Sequence, residues 1–291
     1  MPAPAETAMT FALSVSIVLF HTPRRQIFAL LESLAVACAR ARAESPLGEI
    51  GITLVDNTDG KAAPGEFSSA DMAEAGRLFR LENCELKLQH GHGNVGYGAA
   101  HNLAIGESAA EYHLLLNPDV ELAADALAAG LAYLNGDSGA ALVSPLVIPE
   151  PNRGGGRQYL CKRYPSLLVL LLRGFAPAIL RKPFAGKLAA YEMRDLPLDK
   201  PSAGIPIASG CCMLCRGGAL RQAGGFDEGY FLYFEDFDLS LRLGRLGQLV
   251  HLPAMRIRHG GGNAAAKGWR HVAMFCRSGL RFFNRHGWSW L

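Results

Sequence analysis

The sequence predicts an α/β fold, a mostly parallel sheet flanked by helices in a single domain, on three observations. Short β-branched or leucine-rich runs alternate with Ala/Leu stretches of helical spacing through the first half. The polar residues that could carry chemistry stand directly behind those runs, beyond the strand ends where an open sheet of this kind binds its ligands. A length of 291 residues with 49% hydrophobic content is enough to bury one sizeable core.

Taken in order, residues 14–20 form a β-branched first strand. The apolar stretch 11–20 has no positively charged segment before it and no small-residue cleavage site after it, so it reads as a strand and not as a secretion signal. Residues 27–42 have helical apolar spacing, 50–55 and 85–89 read as strands, 99–109 as a helix and 112–116 as a further strand. This strand–helix–strand order is what predicts a parallel sheet. Between 145 and 206 the pattern weakens. Pro149, Pro151 and Gly154-Gly155-Gly156 mark turns, and 167–180 is apolar yet carries Arg173 and Pro177. That stretch is shorter than the ~20 residues a membrane span requires. It reads either as an internal core helix or as one dipping into the membrane interface. A strand at 207–214 resumes the core. Residues 235–246 form a helix with three acids in its first turn, where the helix dipole favours negative charge.

The net charge of +3 comes without a concentrated basic stripe, which speaks against nucleic acid as a partner. Basic residues do gather late, however: Arg256, Arg258, Lys267, Arg270, Arg277, Arg281 and Arg285, interleaved with Trp269, Phe282, Phe283, Trp288 and Trp290. The pattern suits an anionic membrane surface or an amphipathic helix packed on its own domain. Seven cysteines, an odd number without a disulfide-like spacing, point to a reducing, cytoplasmic setting. Cys211, Cys212 and Cys215 lack a second ligand pair at metal spacing and read as core residues of a buried strand.

Five places carry candidate chemistry. Asn117-Pro118-Asp119 ends the 112–116 strand, and Asp119 is the candidate ligand for Mg2+ or Mn2+, ions that often take one or two carboxylates plus substrate phosphates. Asp56 and Asn57 end the second strand. An acid there can accept the imide N–H of uracil or thymine, although Asp-Asn-Thr-Asp-Gly is also a good turn. Residues 91–98, Gly-His-Gly-Asn-Val-Gly-Tyr-Gly, form a glycine loop that is not the dinucleotide fingerprint. It suggests close backbone approach to a nucleotide, with Asn94 and Asn102 as polar supports, and helix capping by Asn94 as the competing role. Glu235-Asp236 supplies the candidate general base, Asp236 first and Glu235 second, with Asp238 pairing with Arg242. His259 is either a second metal ligand or a loop histidine bonded to backbone.

In order along the chain, Val15–His21, Val55-Asp56-Asn57, Gly93-Asn94-Val95-Gly96-Tyr97-Gly98, Leu116-Asn117-Pro118-Asp119, Ala208-Ser209-Gly210, Gly224-Gly225-Phe226-Asp227-Glu228 and Tyr233-Phe234-Glu235-Asp236 resemble family 2 glycosyltransferases. The resemblance spans nearly the whole chain and is nearest to bacterial rhamnosyltransferase-like members. It implies a GT-A fold with a Rossmann-like sheet, a dTDP- or UDP-linked sugar donor, a divalent metal (Mg2+ or Mn2+) and inversion at the anomeric carbon. It assigns Asp56 to the nucleobase, Asp119 to the metal and His259 to a place near the diphosphate. His21, Asn57, Asn94, Gly96, Asn102 and Asn117 fall to the donor side. Asp236 takes the role of base beside Glu235, while Ser209, Gly210, Phe226, Asp227 and Glu228 fall to the acceptor side. Asn117 replaces the first acid of the Asp-x-Asp motif, and His21 stands where Asn is usual.

The resemblance further divides the chain into a nucleotide-sugar half (11–145), an insertion with an apolar helix (146–206), an acceptor and catalytic half (207–262) and a basic-aromatic terminal helix (263–291). The implied activity is transfer of a sugar, L-rhamnose by the nearest resemblance, to a glycan or polyprenyl-diphosphate-linked acceptor for bacterial surface polysaccharide, at the inner face of the cell membrane. Two other readings stand beside it. A sugar nucleotidyltransferase would carry a basic glycine-rich loop near the first strand, which Phe20-His21-Thr22-Pro23 is not. A non-catalytic nucleotide-sugar-binding or assembly subunit at the membrane would bind donor without turnover.

Overall fold

β1 (Leu13–Leu19) is buried along its whole length, as a strand covered on both faces must be. The computed structural model describes residues 12–45, 47–60, 62–79, 83–149, 157–174, 176–260 and 268–291. The expected turn at 154–156, Lys267 and the glycines at 261 and 262 lie outside them. α1 (Arg24–Glu44) buries Ile27, Leu30, Leu31, Leu34, Cys38 and Ala41, the three-and-four spacing of one helix face. It stops at Ser45, whose extended backbone suits a residue that precedes a proline. β2 (Ile50–Asp56), α2 (Met72–Arg77) and the half-exposed edge strand β3 (Cys84–Gln89) complete one side of the sheet. Then come α3 (Tyr97–Gly106), the buried β4 (Tyr112–Leu116), β5 (Val120–Leu122), α4 (Ala126–Gly136) and β6 (Ala140–Val147).

The second half departs more from expectation. β7 (Cys161–Lys162) leads to α5 (Leu167–Gly174), α6 (Ala178–Arg181) and α7 (Ala185–Tyr191). The single helix expected over 167–180 is thus broken ahead of Pro177, which lacks the N–H a continuous helix needs. After β8 (Ser202–Ala203), the single strand expected over 207–214 is two: β9 (Ile207–Ala208), paired with β7, and β10 (Cys212–Arg216). Between them Ser209 N–H bonds Leu160 O at 2.9 Å beside the β7–β9 pair, while Cys211 O already accepts Asn117 N–H at 2.8 Å beside β4, so the chain changes partners at Ser209 and Gly210. α8 (Gly217–Gln222), α9 (Glu235–Leu243), β11 (Gln248–His259) and α10 (Gly268–His286) close the chain.

The main sheet runs β3-β2-β1-β4-β10-β6-β11-β5, with β8 beside β11. β3, β2, β1 and β4 are mutually parallel, β11 is parallel to β6, and β10 is inserted antiparallel between β4 and β6. This is the mixed α/β architecture with flanking helices that the pattern predicts. β6 and β11 escape the sequence reading because Pro145 and Pro253 interrupt them. β11 absorbs its proline at a register shift between Leu252 and Arg256. One core packs α1 and α4 on one face of the sheet, and a second packs α8, α9 and Phe226 on the other. A third, aromatic cluster of Tyr230, Phe234, Phe282 and Phe283 clamps α10 to the start of α9. Cys212 and Cys215 are wholly buried in β10, and burial raises their thiols out of any reactive range.

Candidate functional site

A cavity of ≈ 570 Å³ opens where β1, β2 and β4 end, within the size range of small-molecule sites. Val18, Phe20 and His21 line it from the end of β1, Asn57 from β2, Asn94, Gly96 and Tyr97 from the glycine loop, and Asn117, Pro118 and Asp119 from β4. Phe231, Leu232, His271 and Met274 form the remaining wall. The last two belong to α10, so the terminal helix builds part of this site, a role its sequence does not announce.

The glycine loop is held from below. Asn57 donates from Nδ2 to Asn94 Oδ1 (3.0 Å) and Gly96 O (3.2 Å), and its Oδ1 accepts from Val95 N–H (3.0 Å). Asp59 Oδ1 accepts from Asn94 N–H at 2.8 Å. Gly96 has φ +93°, and a Cβ there would lie 2.5 Å from Phe231 O. The close backbone approach this glycine permits is therefore to residue 231, whose carbonyl also accepts Tyr97 N–H at 3.0 Å. Asp56 gives one oxygen to Thr58 N–H (3.0 Å), the Asx turn the sequence allowed. His21 has φ +47° and bonds Glu66 through Nδ1 at 3.1 Å, with its ring half exposed at the cavity mouth.

Four expected site residues face elsewhere. Asn102 was assigned to the donor side, but its Nδ2 donates to Phe226 O (2.9 Å) and Glu228 Oε1 (3.0 Å) and its Oδ1 accepts Phe226 N–H (2.8 Å). Both ends of the amide therefore fasten the 225–228 turn. Phe226, assigned to the acceptor side, is 2% exposed and stacked on His101. Asp227 accepts from Arg281 at 2.9 Å, from Arg285 and from Gly229 N–H, which pins α10 to the domain. Glu228 takes part only as the partner of Asn102. The family motif marks this turn, but its side chains brace the fold.

Asp119 and His259 meet as the metal reading requires: His259 Nε2 lies 3.3 Å from Asp119 Oδ1. Gly260 N–H bonds Asp119 O at 3.0 Å and so ties the two loops by backbone. Gln158, which sequence reasoning missed, sets the proton on the imidazole. Its Nε2 donates to His259 O (2.9 Å), which turns its Oε1 towards His259 Nδ1 (2.7 Å). Nδ1 must then carry an N–H, and in the neutral ring Nε2 is the acceptor, on the side that Asp119 also faces. Two such acceptors at 3.3 Å suit a shared cation, and an imidazole anchored through its other nitrogen is the usual arrangement around a metal. No cluster of three His, Cys, Asp or Glu ligands occurs among the described residues, so a cation here would need donors from its substrate.

On the other side of Tyr97 are the paired acids. The Tyr97 hydroxyl reaches Asn117 Oδ1 (2.9 Å) and Gly210 O (2.8 Å), which bridges the loop of Asp119 to the 209–211 turn. Asp236 Oδ2 accepts Gly210 N–H and Oδ1 accepts Phe237 N–H, both at 2.9 Å. Burial raises the Asp236 carboxyl, and these N–H groups and the Lys162 ammonium hold it back down. Glu235 is pushed up further, by burial and then by Asp236, and its Oε2 has no hydrogen-bond partner. Of the two, Glu235 therefore holds its proton the more strongly, and Asp236 is the acid that ionises first. Tyr233 and Phe234 precede them with φ +70° and +65°, a left-handed pair that non-glycine residues adopt only at a cost. Burial, and then the surrounding acids, raise the Tyr97 phenol well above its ordinary value, so it remains a hydrogen-bond donor. Asp238 is fully buried and bonds Arg242 Nε and His286 Nε2, both at 2.7 Å, the helix pairing expected for it.

Comparison with known proteins places these features. No family model matches the chain. An N-acetylglucosaminyl-diphospho-decaprenol L-rhamnosyltransferase of Mycobacterium tuberculosis is 30% identical over 302 residues, which cover 97% of this chain and 87% of that protein. The rhamnosyltransferase WbbL of Escherichia coli is 28% identical over 178 residues, 57% of this chain and 61% of its own. Among solved structures, GalNAc-T7 with UDP, GalNAc and Mn2+ superposes with a TM-score of 0.62 at 16% identity, over 94% of this chain and 48% of that one. The mannosyltransferase PcManGT of Pyrobaculum calidifontis with GDP-Man and Mn2+ gives 0.58 at 15%, over 97% and 66%. At these identities the structures share the GT-A fold and nothing finer.

Proposed function

The chain belongs to the rhamnosyltransferase-like family 2 glycosyltransferases, and on that premise we propose that it moves L-rhamnose from a nucleoside-diphosphate donor to a polyprenyl-diphosphate-linked N-acetylglucosamine. The observation that carries the reading is the Tyr97 bridge. One hydroxyl joins the loop that ends in Asp119 to the turn that caps Asp236, so the Asp119–His259 pair and the Asp236 carboxylate are tied to a single side chain. The donor diphosphate would lie at Asp119 and His259, with its nucleoside in the cavity lined by His21, Asn57 and Asn94. A divalent cation held by Asp119 and His259 would neutralise charge on the leaving diphosphate.

Asp236 takes the proton from the acceptor hydroxyl as that oxygen attacks the anomeric carbon from the face opposite the diphosphate. One C–O bond forms, the bond to phosphate breaks, and the configuration inverts. Ser209 and Gly210 stand beside Asp236 and would shape the approach of the acceptor. Glu235, pushed up further than its neighbour, leaves Asp236 as the acid of the pair that ionises first.

Incubation with dTDP-rhamnose, UDP-linked hexoses and UDP-N-acetylhexosamines, each with a synthetic polyprenyl-diphosphate N-acetylglucosamine, tests this directly. The expected result is a mass gain of one deoxyhexose from dTDP-rhamnose, dependent on Mn2+ or Mg2+ and lost with EDTA. Donor binding without turnover on any such acceptor would overturn the assignment in favour of a binding subunit. A second expectation follows from Gln158. In Gln158→Leu the His259 tautomer is no longer fixed, and Mn2+ affinity in the presence of nucleoside diphosphate should fall about 10–100-fold, as for other partners behind a metal ligand. Titration of bound Mn2+ by electron paramagnetic resonance would read this; unchanged affinity would remove Gln158 from the site.

A further inference from the structure

We propose that the surface formed by α6, the outer stripe of α10 and the terminal tryptophans docks onto an anionic phospholipid bilayer. Two stretches of the chain contain no acid at all: 157–191 has seven Lys or Arg and no Asp or Glu, and 239–291 has nine and none. The fold brings the two together. Leu167 N–H bonds Ser289 O at 2.9 Å, Leu168 N–H bonds Trp290 O at 3.3 Å, and Tyr164 stacks on Phe282. Regions over a hundred residues apart in sequence thus meet on one side of the domain, where Asp227 between Arg281 and Arg285, and Glu192 against Arg173, are acids that adjoin them.

That part is also apolar where it meets solvent. Every residue from 177 to 187 is exposed, and Ile179 (73%), Leu180 (57%) and Phe184 (38%) alternate there with Arg181, Lys182 and Lys187. α10 has two apolar faces. Phe282 and Phe283 are buried against the domain, whereas Trp269 (76%), Val272 (43%), Cys276 and Leu280 (54%) recur at spacings of three and four on the outside. Arg270 and Arg277 flank that outer stripe, and the Arg270 guanidinium lies 5.9 Å from the Trp269 ring centroid. Trp288 and Trp290 stack on each other at 5.6 Å and are exposed beside the start of α5.

Singly exposed hydrophobics are ordinary on any protein, but a cluster interleaved with this many cations is not. An anionic bilayer meets both requirements at once. Its headgroups attract the basic rim, and its interface takes up indole and aliphatic side chains. No helix among the described residues is long and apolar enough to cross a membrane, so the contact would lie in the interface plane. α10 also contributes His271 and Met274 to the donor cavity, and the Tyr233 hydroxyl bonds His271 at 3.0 Å two residues before Glu235. Docking through α10 would hold the catalytic turn close to the lipid. The inference rests on the lipid-linked acceptor for its purpose and on the surface alone for its occurrence.

Flotation with vesicles of equal parts phosphatidylcholine and phosphatidylglycerol, set against phosphatidylcholine alone, tests it. The expected result is binding to the anionic vesicles at least about tenfold tighter than to neutral ones, weakening as salt is added. The double variants Ile179→Ser/Leu180→Ser and Trp269→Ser/Leu280→Ser should each lose about tenfold in vesicle affinity, and Lys182→Glu/Arg277→Glu should lose the preference for anionic lipid. Thermal melting and transfer to a short, water-soluble acceptor should remain as in the wild type, so vesicle binding and the transferase reading stand or fall separately. Wild-type protein that stays unbound, or variants that bind equally well, would overturn the proposal. So would a concentration-dependent dimer abolished by the same substitutions without lipid, which would mean that the face pairs with a second copy of the chain.

Discussion

Asp236→Asn should lower kcat by about 10³-fold while the nucleotide-sugar Kd stays nearly as in the wild type, because positioned proton transfer typically contributes about 10²–10⁴-fold. The amide still offers one oxygen to either Gly210 N–H or Phe237 N–H, so the turn keeps one of its two bonds. The new NH2 then faces the other N–H donor, and some loss of stability, about 1–3 kcal/mol for an unsatisfied buried group, should accompany the lost activity. Isothermal titration with the donor, alongside single-turnover kinetics, separates the two effects. Lost donor affinity would make Asp236 a binding residue and not the base. In the wild type the same carboxylate has a pH signature. Burial raises it, and a base must be ionised to act, so kcat/KM should fall as pH drops through a value above the ordinary carboxylate range.

Asp119→Ala should give the opposite pattern. Donor binding and turnover should fail together, and the residual donor affinity should no longer respond to Mn2+ or EDTA. A metal's stabilisation of a leaving diphosphate is worth several kcal/mol, equivalent to about 10²–10³ in kcat/KM. The Asp119 backbone carbonyl would still accept Gly260 N–H, and His259 would still be held by Gln158, so the loop should survive loss of the carboxylate. Retention of Mn2+-dependent donor binding would show that the pair at 3.3 Å is an ion pair and nothing more. The two variants therefore test the two sides of the Tyr97 bridge independently.

The parts of the fold legible in the sequence share a physical cause. β1, β2 and β4 are covered on both faces, so nearly every side chain in them is apolar, and α1 buries a single clean stripe. β6 and β11 were missed because Pro145 and Pro253 sit within them, which local propensity counts against a strand but a register shift tolerates. The helix expected over 167–180 broke at Pro177, the residue that already argued against it. In the site, residues at strand ends could be read because topology alone sends them to the sheet's edge. Asn117, Pro118 and Asp119 do line the cavity, and Asn57 does beside them.

Gln158 and the α10 wall could not be read this way. Gln158 touches His259 across 101 residues of chain, and nothing local to either predicts the pairing. His271 and Met274 look like ordinary residues of a terminal helix until the aromatic cluster anchors it over the cavity. The errors at Asn102, Phe226 and Asp227 have the converse origin. A motif marks a position in the chain, whereas the direction of a side chain depends on what packs against it, and these three point at a turn, a core and two arginines.

By itself, then, the sequence determined the α/β class, the central strands and the acids that end them, because burial and turn chemistry act over a few neighbouring residues. The tertiary structure alone decided which of those acids holds its proton the more strongly, which partner anchors His259, and that two basic stretches far apart in the chain meet beside α10. Those outcomes depend on desolvation and on contacts between residues far apart in the chain, and neither exists until the chain has folded.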